Sequence, residues 1–307
     1  MKEINLNLNL DFEQVRVLDH HSLLNILNVI VYELMVLQER VPGRDELQVV
    51  LDEVHETANA LALGKLSSDA IIGIGGLKSK VLQAVDAKRS HLNDIDERYW
   101  QETVTNLHSI FEILELRIGE LKRRGGDLWH WEWVACTRIE ENLRSVFSAL
   151  SRNSRGRYGF TEDANGQRTN DYLIQLDIRG TRNATIFMPP VIQDVVRDLA
   201  ANSRKYTEPG GTLAIRMTQT ARELEFEVRD TGIGIPADEI PGIFGFGHRG
   251  SNVQNRRTMG GGFGLTKAYY VVQMFGGRMW MESQTGEDSG TSILCRLPLP
   301  EEGVGEQ

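Results

Sequence analysis

From Trp100 to Leu121, large apolar residues recur at intervals of 4-3-4-3-4-3: Trp100, Val104, Leu107, Phe111, Leu114, Ile118 and Leu121. That spacing keeps them on one stripe of an α-helix, and the stripe has to be buried against other helices. A helix is expected over about 95–123, ended by Gly125-Gly126. Leu23, Leu27, Ile30, Leu34, Leu37 and Val41 repeat the 4-3 pattern until Pro42-Gly43 stops it. Weaker stripes mark helices over about 46–63 (Leu47, Val50, Val54, Ala58, Leu61) and 67–87, the latter broken by Gly75-Gly76. "WHWEW" reads as a core or interface anchor, and a last helix after it carries Ile139, Leu143, Val146 and Leu150. Such stripes require helix-on-helix packing, within one chain or between two copies.

Beyond about residue 152 the pattern changes. "RNSRGRYGFTEDANGQRTN" (152–170) is polar and turn-rich, a linker or exposed loop. Strand-like "YLIQLDI", "TLAIRMT", "ELEFEVRD", "RMWMES" and "SILCRLP" then mix with helices at about 190–206 and 265–275. The expected fold class is therefore α plus α/β: a helical region over 1–152, a linker over 153–170, an α/β sandwich over 171–300 and a tail, 301–307.

Bulk properties exclude several functions. A formal net charge of −9 argues against a non-specific nucleic-acid binder. Cys136 and Cys295 alone make neither a disulfide framework nor a zinc set. The N-terminus lacks the basic-then-apolar order of a signal peptide, and no uninterrupted apolar run nears the roughly 18–20 residues of a membrane span. A cytoplasmic protein, without membrane or nucleic-acid partners, is expected.

Four stretches of the second half carry chemistry. In "DVVRDLAANSRKYT", Asp198 and Asn202 stand at i and i+4 on one helix face. An amide oxygen is a hard ligand suited to magnesium, and Lys205 can meet a phosphate as a point charge. In "VRDTGIGIP", Asp230 ends a strand as a possible acceptor for an exocyclic amine, while Gly232 and Gly234 allow close backbone approach. "GIFGFGHRG" places Phe244 and Phe246 in a loop, where exposed aromatics ask for a reason. "GGGFGLTKAYYVV" opens a helix with glycines, a phosphate cradle.

In this order, with "SGTSILCRLPLP" behind them, these stretches resemble the ATP-binding domain of the GHKL superfamily, specifically that of sensor histidine kinases. "DLAANSRKYT" resembles the N box, "DTGIGIP" the G1 box, "IFGFGHRG" the F box and "GGGFGL" the G2 box. The resemblance covers about 186–299. It implies ATP and Mg2+ as cofactors, with Asn202 holding magnesium and Asp230 receiving the adenine amine. Lys205, Tyr206 and Arg249 would lie near nucleotide, and Gly260, Gly262 and Gly264 at the lid hinge and phosphates. Gly232, Gly234, Phe246, Leu265 and Thr291 complete the implied ATP-binding set, and Asp198 joins the catalytic one.

"HSLLNIL" resembles the phosphoacceptor segment H-x-x-x-N of such kinases. His21 would be the phosphoacceptor, exposed enough to meet the γ-phosphate, with Asn25 one turn on able to orient a water for dephosphorylation. His20 falls on the apolar seam and reads as a packing residue, while His55, His91, His108, His130 and His248 lack a partner pattern. The sequence departs from the family in two ways. Ser22 stands where an acidic residue commonly follows the phosphoacceptor, and Asp19 lies on another side of the helix. Helices over about 44–123 exceed the usual two-helix dimerisation hairpin. The implied function is a homodimeric, ATP-dependent protein-histidine kinase, with phosphatase activity as a second implied activity, acting on a response-regulator receiver domain with input from a separate sensor protein. Two alternatives stay open: a nucleotide-gated, non-catalytic scaffold, and a mitochondrial-type GHKL serine kinase.

Overall fold

The computed structural model describes residues 1–40, 45–63, 65, 73–89, 94–124, 130–154, 156–253 and 262–300. The expected helix stops at Pro42-Gly43 and Gly125-Gly126, the start of the third helix, and the tail 301–307 lie outside them. Two compact units form: Asp11–Gly126, and a second made of Met1–Leu10 together with Asp127–Gln307.

The helical unit contains α1 (Phe12–Arg40), α2 (Asp45–Ala62), a 3-10 turn at Ile74–Gly76 leading into α3 (Leu77–Asp86), and α4 (Asp94–Arg124). Each expected stripe is spent inside the chain. Leu23, Leu27, Ile30, Leu34 and Leu37 of α1 are fully buried in one cluster with Leu47, Val54 and Leu61 of α2, Val81 and Val85 of α3, and Leu107, Phe111 and Leu114 of α4. The question left open by the spacing is thereby settled: these seams pack within one chain. Trp100 anchors the α3–α4 end, its indole N–H donating to the Val85 carbonyl at 3.0 Å. Within α1, His20–Glu39 is long and apolar enough to cross a bilayer by length and composition. Its leucine seam is nevertheless occupied by helix packing.

The second unit is built on a seven-stranded sheet of order β1-β8-β9-β7-β6-β4-β3. The strands are β1 (Lys2–Glu3), β3 (Gly159–Thr161), β4 (Asp171–Arg179), β6 (Thr212–Gln219), β7 (Glu223–Asp230), β8 (Arg278–Gln284) and β9 (Gly290–Pro298). A separate two-stranded ribbon pairs β2 (Glu132–Ala135) with β5 (Thr185–Met188). Helices α5 (Cys136–Asn153), α6 (Pro190–Tyr206) and α7 (Gly264–Met274) contribute to the same core, through Ile139, Leu143 and Phe147, through Val195 and Leu199, and through Ala268 and Val272. The strands alternate as a half-buried sheet must: Leu224, Phe226 and Val228 of β7 point inward with Glu223, Glu225 and Glu227 between them.

The unit boundary thus differs from the expected one at 152/153. Helix α5 was assigned to the helical region from its stripe, yet that stripe lies on the sheet. The stretch 153–170 is not only a linker, since β3 within it pairs in parallel with β4. At the other end, Lys2 and Glu3 pair antiparallel with Met281 and Trp280, and Ile4 N–H bonds the Met279 carbonyl at 2.9 Å. The buried Tyr269 of α7 holds this N-terminal strap. Its phenol oxygen accepts from Leu6 N–H at 2.8 Å and faces the Ile4 and Leu6 carbonyls at 3.3 and 3.0 Å. Tyr269→Phe is therefore expected to destabilise this unit by about 1 kcal/mol, because a half-buried N–H loses its acceptor. Thermal unfolding would show it as a lower midpoint with an unchanged far-UV spectrum.

Candidate functional site

Helix α6 opens with Pro190 at its first position, where a missing N–H costs nothing. Ile192, Val195, Val196, Leu199, Ala200 and Ser203 form its buried stripe. Asp198, Asn202, Lys205 and Tyr206 fall on the neighbouring half-buried face. The Asn202 amide lies against the first residue of α7: a Cβ on Gly264 would sit 2.7 Å from Asn202 Nδ2. With no Cβ at Gly264 the Asn202 amide keeps this position, which joins the N-box and G2-box residues in space.

The charge at the end of α6 is cationic. Burial, together with Arg249 and Arg204 nearby, pulls the Lys205 ammonium down to about 8. Lys205 Nζ also stands 5.2 Å from the centre of the Tyr206 ring. Cations gathered at one place raise the local potential, and a polyphosphate is a ligand that such a group would attract. Asp198 is differently engaged. Its Oδ2 meets Lys267 Nζ of α7 at 2.8 Å, a partner that was not identified from the sequence.

Asp230 follows from the strand period. Leu224, Phe226 and Val228 face the core, so the next inward position, at the end of β7, carries a carboxylate only 9% exposed. Oδ1 accepts from Gly232 N–H at 2.9 Å and Thr291 N–H at 3.2 Å, and the Ser203 hydroxyl also bonds the group. Burial pushes its pKa up, against these three bonds that hold it down. After it the chain turns tightly. Gly234 has φ +68°, and a Cβ there would lie 1.9 Å from the Gln284 carbonyl oxygen. Ile233 N–H bonds the Tyr206 carbonyl at 3.1 Å, tying this turn to the end of α6.

The F-box segment is partly corrected. Phe244, expected in an exposed loop, is fully buried with its ring 5.6 Å from Tyr269. Phe246 is half-buried, 4.7 Å from Phe263. The Thr266 hydroxyl donates to the Gly245 carbonyl at 2.9 Å, and a Cβ on Gly262 would meet the His248 carbonyl oxygen at 2.5 Å. The start of α7 is thus fastened to this loop. Glu239 accepts from Ser251 N–H at 2.7 Å, and Asn252 Nδ2 donates to the Gly234 carbonyl at 2.9 Å. Leu265 packs on the core, Thr291 Oγ1 lies 2.8 Å from Ser283 Oγ, and Gly260 falls outside the described residues.

Among the described residues no group of three or more His, Cys, Asp or Glu is placed to hold a metal. The Asn202 amide oxygen beside the opening of α7 is a single hard donor. Such a site fits magnesium, which keeps several waters and takes the rest of its shell from phosphate oxygens.

In the helical unit, His21 differs from expectation. It is 6% exposed, where an exposed ring was expected; His20, expected as a buried or half-buried packing residue, is half-buried. The i, i+4 spacing does bring Asn25 to it: Asn25 Nδ2 lies 3.0 Å from His21 Nε2. An amide NH2 can only donate, so Nε2 is the accepting, lone-pair nitrogen.

Residues 189–301 match the family described as histidine kinase-, DNA gyrase B-, and HSP90-like ATPase. Sensor histidine kinase Hik2 of Thermosynechococcus vestitus is 35% identical over 108 residues, 35% of this chain and 28% of that one. Sensor histidine kinase WalK of Bacillus subtilis is 34% identical over 113 residues, 36% of this chain and 18% of that one. The chain therefore spans less than a third of the length of these relatives. A solved mycobacterial sensor histidine kinase, MprB, is 24% identical, with a TM-score of 0.39 over 54% of this chain and 97% of that one. The boxes that converge in space are those of the matched stretch: residues 189–301 carry an ATPase domain of the kind shared by histidine kinases, DNA gyrase B and HSP90, and are similar in sequence to that part of sensor histidine kinases.

Proposed function

We propose that the chain is an ATP-dependent protein-histidine kinase that phosphorylates His21 and passes the phosphoryl group to an aspartate of a response-regulator receiver domain. The observation that carries the reading is the meeting of Asn202, Gly264, Asp230 and the Lys205–Arg249 charges in one α/β unit, with a His21–Asn25 pair elsewhere in the chain. Asp230 would accept the adenine amine, and its two backbone donors hold it in place for that. Lys205, Arg249 and the N–H groups opening α7 would bind and orient the triphosphate. Asn202 would hold magnesium, whose charge offsets that of the phosphates. The neutral His21 ring would attack the γ-phosphorus with its lone pair as the bond to the ADP oxygen breaks, and lose its N–H proton to a base. Asn25 would serve the reverse activity on the regulator by orienting a water. A homodimer would use the outer face of α1, where Tyr32 and Met35 are exposed, since the inner seam is filled. Input would come from a separate sensor protein.

The reading has a pH signature. Lys205 loses its charge as pH rises through about 8, and a bound triphosphate favours the charged form. ATP affinity is then expected to fall by up to about tenfold per pH unit above about 8, with proton uptake on binding. In Lys205→Met the dependence between about pH 7 and 9 should flatten. Calorimetry in buffers of different ionisation enthalpy measures both. The test of the activity is incubation with γ-labelled ATP and magnesium, followed by acid and alkali. Acid-labile, alkali-stable label is expected. Acid-stable label would indicate the serine kinase instead, and bound ATP with no label in the isolated chain would favour the nucleotide-gated scaffold, to which the burial of His21 is suited.

A further inference from the structure

Helix α7 buries Thr266, Lys267, Ala268, Tyr269, Val271 and Val272. A lysine in that series is out of character: at 2% exposure its ammonium is stripped of water, which is costly unless an opposite charge replaces the lost hydration. Asp198 supplies it, Oδ2 to Nζ at 2.8 Å. The pair stands one turn from the phosphate end of the site on both helices. Asp198 precedes Asn202 by four residues on α6, and Lys267 follows Gly264 by three on α7, so the ion pair and the Asn202–Gly264 contact are successive rungs between the same helices. Lys267 is also set by its own backbone, whose N–H makes the first helical bond of α7, to the Phe263 carbonyl at 2.8 Å.

Resting on the ATP-site reading, we propose that Lys267 is a positioning residue of the phosphate subsite, which neutralises Asp198 and so removes from that subsite a carboxylate that would repel the triphosphate. Asp198 then acts neither as an independent base nor as a metal ligand. It is the counter-charge that lets a cation be built into the core beside the cradle. The balance is local. A unit charge within about 8 Å of a phosphate group, in surroundings intermediate between protein and water, changes affinity by about 10- to 30-fold.

Adenosine and ATP separate this role from a structural one, because adenosine reads the Asp230 end alone. In Lys267→Met the ATP dissociation constant is expected to rise about 10- to 30-fold, with adenosine changed less than about threefold. In Asp198→Asn, where the lysine charge is no longer opposed, the ATP-to-adenosine preference should move the other way. The double variant should return near the parent value, and it is expected to fold even if Lys267→Met does not, since a neutral pair replaces a buried ionic one. Equal weakening of ATP and adenosine in Lys267→Met, the same direction of change in both single variants, or a double variant whose ATP-to-adenosine preference departs from the parent's would overturn the proposal. Failure of the parent chain to bind either nucleotide would instead remove the ATP-site reading itself.

Discussion

His21→Gln is expected to carry no acid-labile label where the parent chain does, a loss of at least about 100-fold, while His20→Gln keeps it. Glutamine preserves the length and polarity of the side chain and can still bond Asn25, so the helix should survive the change. It has no nucleophilic nitrogen at neutral pH. His20 shares the helix but lacks a residue of amide type one turn on, since position 24 is Leu. The burial of His21 adds a second expectation. A ring 6% exposed, with Nε2 engaged by Asn25, must be uncovered before it can meet ATP. Labelling of the isolated chain should therefore be slow and should quicken when the helical unit is loosened by low denaturant, below the unfolding transition. Label retained in His21→Gln would remove this histidine from the mechanism.

Asp230→Asn should weaken ATP about 10- to 100-fold with the fold intact. The reason is the direction of the two N–H groups. Gly232 and Thr291 both donate to Oδ1, so in the variant the amide oxygen takes that place and the NH2 group takes the place of Oδ2. A donor then faces the exocyclic amine that the carboxylate would accept, and one charge-assisted hydrogen bond of about 1.5–3 kcal/mol is lost. Because both backbone donors stay satisfied, the unfolding midpoint should move little. Guanosine nucleotides offer the opposite pattern at that edge and should gain relative to ATP in the variant. Equal ATP affinity in the two proteins would sink the adenine-acceptor role.

The separate ease of reading the two halves has a physical basis. The 4-3 stripes identified the helices because burial on one face is all a bundle needs, and period alone reveals it. Asp230, Asn202 and Gly264 could be singled out because each occupies a position that chain geometry marks: the end of a strand, a half-buried helix face, the glycine that opens a helix. The assignment of α5 to the helical region failed for the converse reason. Its Ile139–Leu143 stripe is equally suited to a sheet, and period does not say what lies opposite. Lys267 went unnoticed because a lysine on a helix is ordinarily solvated, and only the three-dimensional neighbour Asp198 shows otherwise. His21 came out buried because a seam extended backward from Leu23 fixes one face, whereas the helical unit covers α1 on more than one.

The strap of residues 1–10 makes the α/β unit discontinuous along the chain: its edge strand lies before residue 11 and the rest of it after residue 126. Lys2 and Glu3 pair with Met281 and Trp280, and Leu6 N–H reaches the Tyr269 hydroxyl across a separation of 263 positions. Contacts so distant in sequence close long loops and form slowly. The edge of the sheet is thus the part of this unit that waits longest in folding, since its two strands come from opposite ends of the sequence.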